Sequence, residues 1–242
     1  MLDLHCHLLS GMDDGPTTMQ ESLAMASHAV EQGIKYAVMT PHIHPGIYDN
    51  TAESIANAVE LFQNQLSGHG IALKIVAGAE VRICPELIQM VQMQQIPFLG
   101  ESDGHKVLLL EFPHSHILPG SEQLVGWLLK QHIRPLIAHP ERNKEIHADP
   151  GRMAQFVSMG CMLQVTAASV AGGFGASSRS CANYFLKQGW VEVLGSDAHN
   201  LKSRAPNLMQ GVRAASKVIG DSAAYALVEE NAYAIAGSRF ER

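Results

Sequence analysis

No two cysteines in this sequence stand at C-x-x-C spacing. The four present, Cys6, Cys84, Cys161 and Cys181, are scattered singly, which excludes a zinc ribbon and a thioredoxin-type redox motif. No apolar run approaches the length of a membrane span. There is no basic tract, and 17 Lys and Arg against 23 Asp and Glu leave a formal net charge of −6. That balance argues against a general nucleic-acid binder. No linker, low-complexity segment or internal repeat interrupts the chain. Met1 leads straight into a strand-like run, so no secretory leader is expected. Reduced thiols in a cytoplasmic protein, without membrane insertion, are the simple expectation.

What is present is a regular alternation. The 242 residues suit one domain spanning 1–242, and 46% hydrophobic content is enough for a full core. Short apolar runs at residues 2–4, 36–40, 71–77, 107–110, 135–138, 162–165 and 191–194 read as strands. Helices are expected between them. Thr18 and Glu21 frame a capping box for a helix running to about Gln32. Residues 52–67 carry Ile55, Val59, Phe62 and Leu66 on one face. A short helix follows Pro85, and others cover 121–131, 150–159 and 178–188, with helix from Asn207 to the end. The fold class is α/β, with seven β/α units and a parallel sheet.

A closed barrel is favoured over an open doubly wound sheet by where the chemistry falls. Residues suited to metal binding follow six of the seven strands. A β/α barrel delivers all such strand ends to one face, whereas an open sheet concentrates its site at a switch point. The residues are His5 and His7, Asp14, His42, Glu80, Glu111, His139, Asp197 and His199. His5-x-His7 places two imidazoles on one side of a strand. Ser196-Asp197-Ala198-His199 repeats that spacing near the other end of the chain. Glu80 and Glu111 each end an apolar run, where an uncompensated charge is costly.

Other readings compete. Asp13 in Asp-Asp-Gly-Pro reads first as an Asx-turn acceptor, and for Asp14 turn and ligand are evenly balanced. A salt bridge to Arg82 would account for Glu80 without metal, whereas no such neighbour flanks Glu111. His44 is expected at the rim, carried outward by Pro45-Gly46-Ile47. His28, His69, His105, His114, His116, His132 and His147 lack the strand-end position. Met90 and Met93 read as core filling. Arg142 and Arg204 stand just beyond His139 and His199, and their planar forks suit phosphate oxygens if they are not surface charges.

Taken together, DLHCHLL, MDDGP, TPH, GAE-x-R, LLLEFP, IAHPERN and GSDAHN resemble the PHP superfamily, named for polymerase and histidinol phosphatase domains. More closely, they resemble its bacterial manganese-dependent tyrosine-protein phosphatases, encoded with capsule and exopolysaccharide genes. The likeness spans Met1 to about Asn200 and is weaker in the C-terminal helices. It implies a distorted, TIM-like (β/α)7 barrel and three metal ions. His5, His7, Glu80 and Asp197 would hold the first. Glu80, Glu111 and His139 would hold the second, with Glu80 bridging. Asp14, His42 and His199 would hold the third, while Arg142 and Arg204 would grip phosphate. Manganese is the implied cation, with iron, cobalt, zinc or magnesium also compatible with the donors. The implied substrate is phosphotyrosine on a protein, such as a phosphorylated bacterial tyrosine kinase.

Charge agrees with an anionic substrate. Three divalent ions would outweigh the four carboxylates Asp14, Glu80, Glu111 and Asp197, and a phosphate dianion would neutralise the surplus. The C-x5-R loop of cysteine-dependent phosphatases is missing, because the residues six beyond the cysteines are Met12, Met90, Ala167 and Lys187. Two rival functions remain: a phosphatase of small esters such as histidinol phosphate or a nucleotide, and a metal-binding module that regulates a kinase without turnover. The loops HIHPGIYDN and RICPE are where substrate preference would be set.

Overall fold

The computed structural model describes residues 1–240. Ten strands are present among them: β1 Leu2–Cys6, β2 Tyr36–Met39, β3 His42–Ile43, β4 Lys74–Ala77, β5 Glu80–Arg82, β6 Gly100–Ser102, β7 His105–Glu111, β8 Ile133–Ala138, β9 Met162–Thr166 and β10 Val191–Gly195. Parallel pairing links β1 to β2 and β2 to β4, and separately runs β3, β5, β7, β8, β9, β10. The two paths are one barrel. β3 continues β2 and β5 continues β4, each after a two-residue break. A parallel bridge between Cys6 and Ala198 closes the ring. It is supported by Asp197 N to His5 O at 2.8 Å and His7 N to Ala198 O at 2.9 Å. The seven expected strand positions are therefore all occupied. β6 is an addition, antiparallel to β7, in a segment too short and polar to read as a strand.

The two breaks have a chemical origin. Pro41 carries no N–H for the ladder, and the Thr40 hydroxyl compensates, 3.0 Å from Cys6 N and 3.2 Å from Cys6 O. Opposite it, a Cβ on Gly78 would fall 2.5 Å from Val38 Cγ1, so only glycine lets the strands approach there. Beyond the paired breaks, His42 and Glu80 meet in register. A third irregularity lies in β1, where one extra residue sits between Asp3 and Cys6 relative to β2. A bulge of this kind reverses the in–out alternation. Leu2 and Leu4 thus join the barrel interior, while His5 and His7 converge on the site above it.

Alternation elsewhere is regular. Val107 and Leu109 pack inside with Val38, Leu136, Met162 and Val193, while Leu108 and Leu110 face the surrounding helices. The bottom of the barrel is filled by the C-terminal helix Glu230–Ala236, whose Ala232, Ile235 and Ala236 join the interior cluster. Burial of a residue like Ile235 stabilises by about 1.5–3 kcal/mol. The expected helices are found, with small changes. Pro150–Arg152 is a 3-10 turn before the helix Met153–Met159, and the C-terminal region is three α-helices, broken at Gly220 and again at 227–229. That last expectation also covered residues 241 and 242, which lie outside the described ones. Two short helices, Lys144–Ala148 and Ala167–Ala171, have no periodic signature long enough to read.

β6 locks the plug. Arg239 Nη1 donates to Phe98 O and Leu99 O, and a Cβ on Gly100 would meet Ile235 O at 1.9 Å. Gly100→Ala should therefore displace the plug helix and destabilise the fold by about 1–3 kcal/mol. Urea unfolding of parent and variant measures it, and equal midpoints would show that the contact yields without cost.

Candidate metal centre

The C-terminal ends of the strands carry the ionisable groups to one place. His5 and His7 come from the end of β1, His42 opens β3, Glu80 opens β5, Glu111 closes β7, and His139 follows β8. Asp197 and His199 follow β10. His139 and Asp197 both adopt left-handed backbone, with φ of 32° and 52°. For residues other than glycine this costs on the order of 1–3 kcal/mol each. The sharp exits turn both side chains into the cluster.

The tightest set is His5, His7, Glu80 and Asp197, all buried. His5 Nε2 lies 3.1 Å from His7 Nε2, 3.2 Å from Glu80 Oε2 and 3.4 Å from Asp197 Oδ1. His7 Nε2 is 3.3 Å from the same Glu80 oxygen and 3.6 Å from the same Asp197 oxygen. Donors around a divalent ion at about 2.0–2.2 Å stand roughly 2.8–3.6 Å apart. Glu80 Oε2 and Asp197 Oδ1 are buried with no hydrogen-bond partner among the described residues. Buried carboxylate oxygens are rarely left so, and a cation is the partner that fits.

Glu80 also reaches a second set. Its Oε1 lies 2.7 Å from His139 Nε2, which is 4.0 Å from Glu111 Oε1. His114 joins Glu111 and His139 within one ligand-sized space. In a third set, Asp14 Oδ1 is 3.1 Å from His199 Nε2 and 3.4 Å from His42 Nε2, with His7 alongside. The structure thus gathers all nine expected ligand residues.

Electrostatics follow from this crowding. Burial opposes charge on Asp197, but His5, Arg204, His139 and Arg142 hold its carboxyl well below the usual range. Burial opposes charge on Glu80 too, and His5, His42 and His139 outweigh it. Burial pushes Glu111 up to about 8, reinforced by the Glu80 charge. Burial lowers His139 to about 3, reinforced by Arg142. Such groups, strained apart when only protons balance them, are those a cation would bring back into charge balance.

The comparisons with known proteins decide the family. The family model described as "Capsular polysaccharide synthesis, CpsB/CapC" matches residues 1–236. The chain belongs to the CpsB/CapC family. It is 34% identical over 229 residues to the tyrosine-protein phosphatase YwqE of Bacillus subtilis, covering 95% of this chain and 89% of that protein. It is 30% identical over 242 residues to the tyrosine-protein phosphatase CpsB of Streptococcus pneumoniae, covering 96% of each. A crystal structure from work on YwqE and CpsB, described as "unique metal-dependent tyrosine phosphatases", superposes with a TM-score of 0.89 at 33% identity. It covers 96% of this chain and 93% of that one.

Several side chains of this CpsB/CapC site differ from the sequence reading. Arg82 pairs with Glu111, Nη2 to Oε2 at 3.0 Å, rather than with Glu80. Glu111 therefore does have a cationic neighbour, delivered from the adjacent strand. His114 lies within the second set despite its loop position. Asp13 makes the expected turn, with Gly15 N donating to Oδ1 at 2.9 Å. Its Oδ2 also contacts His7 Nδ1 at 2.6 Å and accepts from His42 N at 3.0 Å. Gln164 was not singled out at all, yet its Oε1 accepts from His5 Nδ1 at 2.8 Å and His139 N at 3.3 Å. Asp13 and Gln164 thereby fix which ring nitrogens of His7 and His5 are left for an ion. Arg142 and Arg204 both line the cavity, and both bond to Asp197 Oδ2. Phe174 lies under Arg142, 4.4 Å from guanidinium carbon to ring centre.

The cysteines are set for inertness. Burial pushes Cys84 up to about 11 and Cys161 and Cys181 up to about 12, and burial raises Cys6 well above the ordinary thiol value. At pH 8 the last two of the numbered three hold on the order of a thousandfold less thiolate than free cysteine. Iodoacetamide at pH 8 should therefore label the folded chain far more slowly than the urea-unfolded chain, as read by mass spectrometry. A cysteine labelled in the folded protein at the unfolded rate would contradict this picture.

Proposed function

We propose that this chain is a metal-dependent phosphomonoesterase that hydrolyses phosphotyrosine on a protein in the cytoplasm. The proposed substrate is the autophosphorylated tyrosine kinase controlling capsular or exopolysaccharide synthesis. The observation that carries the reading is the division of one buried carboxylate: Glu80 Oε2 faces His5 and His7 while Oε1 faces His139. A carboxylate divided in this way would serve as a ligand to two ions. CpsB/CapC membership and the names of the relatives support the reaction.

In this reading His5, His7, Glu80 and Asp197 hold one ion, and Glu80, Glu111 and His139 a second. Asp14, His42 and His199 hold a third. Imidazole with carboxylate suits manganese, and iron, cobalt, zinc and magnesium remain compatible. When bound, the ions supply Lewis acidity and lower the pKa of water. The protein's own groups do the rest. Arg142 and Arg204 each give one N–H to Asp197 Oδ2, leaving further donors of each fork for phosphate oxygens. Arg204 Nε is buried and without a hydrogen-bond partner among the described residues, as expected of a donor waiting for an anion. Asp197 thus serves two tasks, with Oδ1 toward His5 and His7 and Oδ2 toward the arginines. The arginines offset charge that builds up on the phosphoryl oxygens as the phenolate leaves.

A phosphotyrosine-peptide assay across metals, with and without chelator, tests the reading. Histidinol phosphate and nucleotides run alongside would expose a small-ester enzyme, and no turnover with any metal would favour a regulatory module. Glu80→Ala should lower the bound metal count by more than one and abolish turnover. Elemental analysis that finds a full complement in that variant would remove the bridging role. Alanine at Arg142 or Arg204 should keep the metal but lower kcat/KM by roughly ten- to hundredfold, the about 1.5–3 kcal/mol of a charged hydrogen bond. Lysine should rescue only in part. Parent rates in both alanine variants would place the phosphate grip elsewhere.

A further inference from the structure

The catalytic cavity is small, about 260 Å³, and nearly all of its wall is ionisable. Carboxylates, imidazoles and guanidinium groups make up the lining, with two departures, Ile47 and Tyr48. A phosphate ester has an organic half as well as an anionic one. Within this cavity that half has only Ile47 and Tyr48 against which apolar surface can be buried without stripping water from charge.

The segment that carries them is built for rigidity. His44 N donates to Tyr48 O at 3.0 Å and Tyr48 N to His44 O at 2.8 Å, closing a tight turn. Gly46 N donates to Asp49 Oδ1 at 2.7 Å. Asn50 Nδ2 donates to His42 O and Met12 O, both at 2.8 Å, tying the turn to the loop that bears Asp14. The Tyr48 ring lies against the His42 ring, 5.5 Å between centres and 13° from parallel. Ile47 is 62% exposed at the tip. An aromatic held in place by its neighbours loses little further freedom when a ligand arrives.

We propose that Ile47 and Tyr48 form the wall that receives the aromatic ring of the substrate, and that they select aryl over alkyl phosphate esters. The inference rests on the phosphatase reading and deepens it. Phosphate is gripped by groups indifferent to what the ester carries, so discrimination falls to the rim. A phenyl ring covers both side chains, whereas the short alkyl arm of phosphoserine covers little of either. The departure of HIHPGIYDN from a plain ligand motif thereby acquires a task.

Binding separates this inference from the activity. Manganese-loaded protein is titrated by calorimetry with phenylphosphonate and with methylphosphonate, neither of which can be hydrolysed at a P–O ester bond. The parent should prefer the aryl ligand. Ile47→Ala, which removes none of the proposed ligand residues, should reduce that preference by about two- to tenfold, the range of a lost aromatic contact. Methylphosphonate affinity should stay unchanged. Tyr48→Phe should keep the preference and Tyr48→Leu should lower it, with metal content checked in each because of the stack on His42. The ratio of kcat/KM on phosphotyrosine to that on phosphoserine should move in parallel. A parent that binds both phosphonates equally, or an Ile47→Ala protein with the parent's preference, overturns the wall. A parent that prefers phenylphosphonate but hydrolyses no ester upholds the wall and refutes the phosphatase reading instead.

Discussion

Two carboxylate oxygens without hydrogen-bond partners among the described residues, Glu80 Oε2 and Asp197 Oδ1, govern this structure. Burying an ionised carboxylate costs several kcal/mol unless something of opposite charge is close. Here the imidazoles of His5 and His7 are close, and so are the guanidinium groups of Arg142 and Arg204. Yet the histidines are too few in hydrogens, and the arginines engage only the outer oxygen of Asp197. The balance is completed by divalent cations in the reading given above. The backbone is arranged around that need. Two strands break side by side, a bulge turns β1, and two residues take left-handed geometry, all within reach of the same few atoms.

The division of labour in the barrel follows from this arrangement. Its lower half is apolar and plugged by the helix Glu230–Ala236, which supplies stability without chemistry. Its upper half is crowded with charge, which supplies chemistry at a cost in stability. The rim above carries the only features of the cavity with no charge to balance, Ile47 and Tyr48.

Much of this was legible in the residues. Strand-end histidines and carboxylates could be found because apolar runs mark strands, and parallel strands in a barrel end together. The seven strand positions followed from the same alternation. What stayed hidden depended on neighbours across the sheet. Arg82 reads as a partner of Glu80, two residues away, but the register of β5 beside β7 sets it directly opposite Glu111, and the ion pair forms across the sheet instead. Gln164 looks like an ordinary polar residue in a strand, and only the register of β9 beside β8 places it under His5 and His139. His114 lies three residues past Glu111 in a loop, where no periodicity reports direction. β6 escaped because three residues cannot show a period.

The seam that closes the barrel has a consequence for how the protein comes into being. β1 and the segment after β10 join at Cys6 and Ala198, and the same join brings His5 and His7 to Asp197 and His199. A nascent chain leaving the ribosome carries its first two histidines long before their partners exist. Asp197 and His199 are the last of the nine residues to be made. The set His5, His7, Glu80 and Asp197 is therefore complete only when the ring is closed.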